Sequence, residues 1–298
     1  MKQPDWSQIF AEKIISTHHE GGGKTNDVWQ IKTEQGIYIV KIPRISPHPK
    51  KGFAYGLYTL FRLDEYRDVI YQCELAEFID HHSPLAVPRV VRIDTSREKI
   101  PKPYVIHEQI SGEPVNFKQG LDTRQLVKDL GDHLGSLDQA NFAYWGNFQG
   151  DPKLAWKDWP HQFIQAMKKM AARRFPGDDA ITYAIREAEE RTHYIADPDR
   201  GSLIMLDLKG GQFLQQDGRL KALVDIGSHV IGPRELGWVT LEYVIRPEDA
   251  DALMSGYTRH LSVPEIGTVR QIYRLLEFLM FTEVGSFSDW MNQPEIFN

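Results

Sequence analysis

The spacing of apolar residues in the first third of the chain predicts β-strands. Residues 28–32 alternate between two faces, with Trp29 and Ile31 on one of them, and this period of two is typical of a strand that buries one face. An apolar run at Ile37–Ile42 follows the turn signal Gln35-Gly36.

Apolar residues at helical spacing predict helices at the start of the chain and throughout its second half. Residues 5–15 have the pattern of a short amphipathic helix, with Asp5 as its cap. After a loop at 45–56, residues 57–79 are predicted to form one long helix. Further helices are predicted at 126–137, 163–174, 181–195, 236–245, 250–261 and 269–287.

Between these helices, residues 203–232 predict a strand followed by a hairpin. Leu203–Leu206 is an apolar run of strand length, and Asp207 follows it. Asp217-Gly218 lies between two further apolar runs, and this dipeptide favours a tight primed turn. The second hairpin strand leads to Asp225. The pattern therefore places one carboxylate before the hairpin and one after it.

Composition narrows the class of protein. The chain has 298 residues, of which 41% are hydrophobic, so it is globular and long enough for two cores. A formal net charge of −6 argues against nucleic acid as the main partner. The single cysteine, Cys73, excludes a disulfide within the chain and favours a reducing, cytoplasmic setting. We expect no membrane partner, because no apolar run has the length of a bilayer span and the first residues lack a signal-peptide pattern.

The two aspartates and a nearby amide suggest phosphoryl transfer. Gln212 stands five residues after Asp207, and Asp225 closes the hairpin. Phosphoryl transfer uses one Asp to accept the proton of the attacking hydroxyl, and an amide oxygen with a second Asp to hold Mg²⁺ on the phosphates. The arrangement resembles the catalytic core of the protein-kinase-like superfamily, especially the aminoglycoside phosphotransferase family.

The resemblance implies roles for four residues of this core. Asp207 would be the catalytic base, and Lys209 would touch the γ-phosphate. Gln212 and Asp225 would be the ligands of Mg²⁺. Three positions depart from the family pattern: Met205 stands where a histidine is usual, Gln212 where asparagine is usual, and Gly237 where a bracing aspartate is common.

The first half of the chain carries the remaining family elements in order. Gly21, Gly22 and Gly23 form a glycine loop that would let backbone amides approach the phosphates of ATP. Lys41, at the end of a predicted strand, would pair with the α- and β-phosphates. Glu74 resembles the helix glutamate that pairs with this lysine, with Glu77 as a competitor. Backbone groups from Glu108 to Ile110 would meet the adenine.

This resemblance implies a two-lobe α+β fold. Residues 1–108 would form a nucleotide-binding lobe with an antiparallel sheet and a helix, and residues 109–298 a mainly helical lobe with the catalytic loop and the acceptor-binding helices. The helical half begins soon after Asp225, without the long activation segment of protein kinases, which favours a small-molecule kinase.

The acceptor stays open at this point. We expect a small hydroxylated molecule, with an aminoglycoside as one candidate and choline, a sugar or an amino alcohol as others. The three departures keep a second class open, a kinase-like pseudoenzyme that binds nucleotide or a partner protein. Candidate acceptor contacts are Glu277, Glu283, Phe287 and Trp290. The choice between ATP and GTP and the oligomeric state are not decided by the sequence.

Overall fold

A computed structural model of the chain describes residues 3–22, 25–119, 123–281 and 285–297. Gly23 of the glycine loop and Glu283 therefore lie outside the described residues. The fold is mixed α and β, with an antiparallel sheet of five strands in its first part. The strands are β1 Ile14–Gly22, β2 Asn26–Thr33, β3 Ile37–Pro43, β4 Val90–Asp94 and β5 Tyr104–Glu108, in the order β1-β2-β3-β5-β4.

The helix predicted at 5–15 is wrong. A 3₁₀ turn covers only Trp6–Gln8, where the Asp5 carboxylate accepts a hydrogen bond from the Ser7 amide, and β1 begins at Ile14. Ile14, Ile15 and Thr17 in this strand are β-branched, and such residues fit an extended, pleated backbone better than a helix. The apolar residues of the predicted helix, Trp6, Ile9 and Phe10, are instead buried in the core of the sheet.

The single helix predicted at 57–79 is also wrong, because two helices occupy this region. The first, α1, covers Gly52–Phe61 and ends where Arg62 takes a left-handed conformation with φ 60°. Asp64 then accepts hydrogen bonds from the backbone amides of Tyr66 and Arg67. Such side-chain bonds to the backbone compete with helix formation. The second helix, α2, starts only at Gln72 and runs to His82.

The rest of the chain consists mainly of helices around two small sheets. Strand β7, Gly201–Met205, pairs with β10, His229–Pro233; strand β8, Phe213–Gln216, lies between β6, Glu113–Pro114, and β9, Arg219–Leu223. The remaining helices are α3 Arg124–Asp138, α4 Trp159–Arg174, α5 Asp179–Glu190, α6 Arg234–Leu241, α7 Ala250–Tyr257, α8 Arg270–Met280 and α9 Phe287–Met291. None of the helices in the described ranges has the length and apolar character needed to cross a membrane.

The described chain buries two hydrophobic clusters. The smaller one lies against the five-stranded sheet and includes Ile31, Val40 and Ile106. The larger one joins the helices of the second half with α1 and α2, through residues such as Leu60 and Ile79. The two N-terminal helices thus pack with the helical half, while the sheet has a core of its own. A lobe boundary between residues 108 and 109 stays a prediction.

Candidate active site

The predicted hairpin places Asp207 and Asp225 at its two ends. Strand β7 ends at Met205, two residues before Asp207. Asp217 and Gly218 have φ values of 53° and 73°, the signature of a two-residue turn in which both central residues are left-handed. This turn joins β8 to β9, which ends at Leu223, two residues before Asp225.

Lys41 connects the five-stranded sheet to this hairpin. Its Nζ lies 3.0 Å from the Asp225 Oδ1 and donates to the carbonyl oxygen of Val224, also at 3.0 Å. The Lys41 side chain is 15% exposed, whereas that of Asp225 is 47% exposed. Burial acts to raise the pKa of Asp225, but the charge and hydrogen bond of Lys41 outweigh it, and the net pKa is lowered. The carboxylate is therefore held ionised at neutral pH.

Asp207 and Lys209 form an ion pair, and the charges of both Asp207 and Asp225 act on the buried Glu65, which places the two carboxylates close together. Asp207 is 23% exposed and Lys209 is 64% exposed, so the pair opens to solvent. Since the lysine is held by a carboxylate and still reaches solvent, it can turn toward an anion that arrives beside Asp207. The structure thus brings Asp207, Lys209, Lys41 and Asp225 to one region of the molecule.

Gln212, the predicted amide ligand of Mg²⁺, is hydrogen-bonded within its own loop. It lies at the end of a 3₁₀ turn, Gly210–Gln212, and is buried. Its Oε1 accepts a hydrogen bond of 2.7 Å from the Lys209 amide, and its carbonyl accepts another from Val224. The side chain therefore braces the loop that carries Asp207 and ties it to the residue before Asp225. Its role as a metal ligand stays a prediction.

The Lys41–Glu74 ion pair is not formed, which corrects the predicted pairing. Glu74 is exposed on α2, and its competitor Glu77 is exposed as well, with its carboxylate near the Cys73 thiol. Lys41 meets Asp225 instead.

The hinge, which is the segment Glu108–Ile110 predicted to meet the adenine, begins at the end of β5, and the glycine loop begins at the end of β1. Glu108 ends β5 opposite Tyr38 of β3, and its carboxylate pairs with Arg89. Ile110 follows outside the sheet, half-buried. Gly21 and Gly22 end β1, and Gly21 has φ 88°. Their contacts with a nucleotide stay predictions.

Comparison with known protein families assigns the chain to a family. Residues 20–271 match the phosphotransferase enzyme family. The chain belongs to this family. No curated protein matches the chain.

Several solved phosphotransferase structures can be superposed on nearly the whole of this chain. The apoenzyme of macrolide 2'-phosphotransferase MphH from Brachybacterium faecium is 16% identical, with a TM-score of 0.60 and coverage of 98% of each chain. ADP-bound aminoglycoside phosphotransferase APH(2'')-Ib is 14% identical, with a TM-score of 0.60 and coverage of 97% of this chain and 95% of that one. A thermostable mutant of APH(4)-Ia in complex with AMP-PNP and hygromycin B is 15% identical, with a TM-score of 0.61 and coverage of 92% and 87%. At these identities the likeness shows the protein-kinase-like fold.

Glu65 is a residue of the phosphotransferase site that the sequence prediction missed. Its Oε1 accepts a 2.9 Å hydrogen bond from Ser228, three residues after Asp225, while its Oε2 is buried without a hydrogen-bond partner among the described residues. Burial raises the pKa of Glu65 to about 7; the Ser228 bond opposes the rise, and the charges of Asp225 and Asp207 add to it. The sequence gives no signal for the burial of Glu65, because this residue stands inside the predicted helix. It is buried only because the helix ends at Phe61 and a new one starts at Gln72.

His229 is a second missed residue. It lies directly opposite Met205 in the β7–β10 pair, and its Nδ1 donates a 2.9 Å hydrogen bond to the Ile226 carbonyl. Burial lowers the pKa of His229 to about 4, so the ring is neutral. The phosphotransferase therefore has a histidine on the facing strand, next to the Asp225 segment, at the level where the family pattern has one at position 205.

The donor set fits a Mg²⁺ ion bound together with a nucleotide. Mg²⁺ prefers oxygen ligands and commonly binds one or two carboxylates plus phosphate oxygens and waters. Asp225 offers an ionised, half-open carboxylate, and Asp207 lies nearby. Within the described ranges no cluster of three or more His, Cys, Asp or Glu side chains could hold a metal. Phosphate oxygens of a nucleotide would complete the coordination of an ion held by Asp225.

Proposed function

We propose that this phosphotransferase uses ATP to phosphorylate a hydroxyl group of a small molecule. The observation that carries the proposal is the meeting of Lys41 from the sheet with Asp225 from the hairpin, with Asp207 at the other end of that hairpin. This set supplies a cation for phosphates, a metal-binding carboxylate and a base in one place. The chain's membership of the phosphotransferase enzyme family supports the same reaction class.

In this proposal, strand β3 determines how the nucleotide lies. Tyr38 pairs with Glu108 at the hinge, and Lys41 pairs with Val105 three residues along. At about 3.3 Å per residue, Lys41 is roughly 10 Å from the hinge, the length scale of a nucleoside between its base and its phosphates. The adenine would lie along Glu108–Ile110, and Lys41 would hold the α- and β-phosphates under Gly21, Gly22 and Gly23. The boundary between the lobes would then fall at residues 108 and 109.

Asp207 performs the proton step in this proposal. Its carboxylate accepts the proton of the acceptor hydroxyl as the hydroxyl oxygen bonds to the γ-phosphorus, and the bond from that phosphorus to the bridging oxygen of ADP breaks. Lys209, already paired with Asp207, turns to the γ-phosphate. Asp225, with Gln212 behind it, would hold Mg²⁺, which neutralises charge on the phosphate oxygens. Lys41 orients Asp225 for this role.

Two aspartate variants test the proposal. Asp207→Asn removes the base but keeps the shape, so kcat should fall by at least about 10²-fold while the affinity for ATP changes little. Asp225→Asn should lose Mg²⁺-dependent nucleotide binding as well. Calorimetry with ATP and ADP release with a panel of hydroxylated acceptors, aminoglycosides included, measure both effects.

Asp217→Asn is the matched control for these variants. It makes the same chemical change on the same hairpin, at an exposed turn position where Asn is well tolerated. It should leave turnover and binding unchanged. Nucleotide binding without turnover of any acceptor would instead support the pseudoenzyme alternative, and absence of nucleotide binding would exclude both.

A further inference from the structure

An open cleft of about 1160 Å³ lies apart from the residues assigned so far. Its walls are the loop after β3, the first turn of α1, and the ends of α4 and α8. Five basic side chains line it: Arg44, Lys50, Lys51, Arg173 and Arg174. None of its lining residues in the described part of the chain is acidic. This contrasts with the net charge of −6 for the whole chain.

The cleft lies on the phosphate side of the proposed nucleotide site. Along β3, Tyr38 marks the hinge and Lys41 the phosphates, and Arg44 of the cleft is three residues further on. The Arg44 amide donates a 2.7 Å hydrogen bond to the Thr25 carbonyl, and Thr25 both follows the glycine loop and lines the cleft. Arg44 and Thr25 therefore connect the cleft to the strand that carries Lys41 and to the segment after the glycine loop.

The opposite wall of the cleft is also tied to the candidate active site. His48 lines the cleft, and its backbone amide donates to the Asp64 Oδ2 at 3.1 Å. Asp64 precedes Glu65, the buried acid beside Asp207 and Asp225. The loop that forms the cleft wall thus runs from the strand of Lys41 to the turn that carries Glu65.

Lys50, Lys51 and Arg173 contribute positive charge to the cleft. Lys50 and Lys51 are exposed and make no ion pair with any described residue. Arg173 stacks over the Tyr55 ring at 5.1 Å. Arg44 lies 3.8 Å from Asp27, at the edge of the cleft. The first turn of α1 lines the cleft, and its backbone amides add positive potential there. No acidic side chain in this turn offsets that potential.

We propose that this cleft is a separate site for a small anionic ligand, one that carries a phosphate or a carboxylate. The inference rests on the lining of the cleft and is independent of the acceptor of the proposed reaction. A polycation such as an aminoglycoside would meet like charge here, which costs binding energy. The apolar lining residues Phe53, Met170 and Leu279 suit the carbon skeleton of such a ligand.

Four matched probes test the proposal on the full chain with saturating AMP-PNP and Mg²⁺: glucose, glucosamine, glucose 6-phosphate and gluconate. Calorimetry should show that at least one anionic probe binds at least about tenfold more tightly than glucose and glucosamine, as expected for a charge-assisted hydrogen bond. The phosphate ester and the carboxylate distinguish the two kinds of anion. Equal affinity for all four probes, or a preference for glucosamine, would overturn the proposal.

The double variant Lys51→Gln with Arg173→Gln should weaken the anionic probe by about tenfold or more. Lys169→Gln is the control, because Lys169 is exposed on the same helix α4 but does not line the cleft. An unchanged affinity in the double variant would also overturn the proposal. If AMP-PNP itself fails to bind, the proposed function fails; the same titration without nucleotide then still tests the anion preference of the cleft.

Discussion

At the scale of single residues, Glu65 is the group whose chemistry depends most on its surroundings. Burial raises its pKa from an ordinary value near 4.5 to about 7, so folding favours the protonated acid. Because the folded-state pKa is the higher one, this contribution to stability is complete below pH 4.5 and is lost as pH rises through about 7. The loss is on the order of 3 kcal/mol.

Glu65→Gln removes this titration and keeps an oxygen that can accept the Ser228 hydrogen bond. We therefore expect the variant to gain stability relative to the wild type between pH 5 and pH 8, measured by urea unfolding at both values. Glu34→Gln, at a position 59% exposed, should show no such pH-dependent difference. A Glu65→Gln curve parallel to the wild type would mean that the carboxylate is solvated in solution.

The residues of the site also show how far sequence reasoning reaches. Asp207, Asp225 and the Asp217-Gly218 turn could be located because local turn chemistry and strand periodicity determine a hairpin within a few residues. Glu65 and His229 could not, since their positions depend on a left-handed residue at Arg62 and on cross-strand pairing with β7. The predicted Glu74 partner of Lys41 failed as well, because Glu74 is exposed on α2.

At the scale of elements, periodicity predicted strands β2 and β3 better than the limits of the helices. The helices at 126–137 and 163–174 appear as α3 and α4 with longer ends. The predicted helix at 269–287 extends from α8 to the first residue of α9, because apolar residues continue at helical spacing beyond the end of α8. Tertiary contacts, which periodicity does not contain, decide where a helix stops.

The contact between α3 and α7 depends on glycine. A Cβ atom on Gly131 of α3 would lie 2.1 Å from the Leu253 carbonyl oxygen, and one on Gly256 of α7 would lie 2.0 Å from that of Lys128. An ordinary helix-interior Gly→Ala change gains up to about 1 kcal/mol. Here Gly131→Ala should instead lose on the order of 2 kcal/mol, because the two helices must move apart.

Thermal and urea unfolding of Gly131→Ala measure this loss. Gly36→Ala is the control, since its Cβ would meet only the Tyr38 ring at 3.7 Å, an ordinary contact. It should change the free energy of unfolding by less than about 0.5 kcal/mol. A stabilised Gly131→Ala variant would show that the helices have room for a methyl group.

At the scale of the whole molecule, one buried charge cluster joins α6, α8 and the final segment. Glu242 accepts from Arg270 at 3.2 Å and Arg274 at 2.7 Å, and its Oε1 also accepts from the Ile296 amide at 3.0 Å. Arg274 in turn donates to backbone carbonyls of the last residues, Gln293 among them. The cluster therefore fixes the chain end onto the helical core.

Glu242→Gln should cost about 3–5 kcal/mol. Arg270 keeps its ion pair with Glu295, but the buried Arg274 loses the carboxylate that is its ion-pair partner among the described residues. The comparison is Glu189→Gln, which breaks an ion pair with Lys168 whose side chains are 47% and 42% exposed. That surface change should cost less than about 1 kcal/mol. Urea unfolding measures the free energy of unfolding of both variants. Similar losses in the two would contradict a stabilising role of the buried charge cluster at Glu242.

The two hydrophobic clusters lead to a prediction about which parts of the molecule unfold together in amide hydrogen exchange. Helix α1 lies early in the chain, yet it packs on α4 and α8 of the helical half, and Leu57 and Leu60 belong to the larger cluster. Strands β1 and β4 are the edges of the five-stranded sheet, which has the smaller cluster. Units that share a core open together in hydrogen exchange. The amides of α1 should therefore exchange as slowly as those of α4 and more slowly than those of β1. Exchange of α1 in step with β1 would instead make residues 1–108 one cooperative unit.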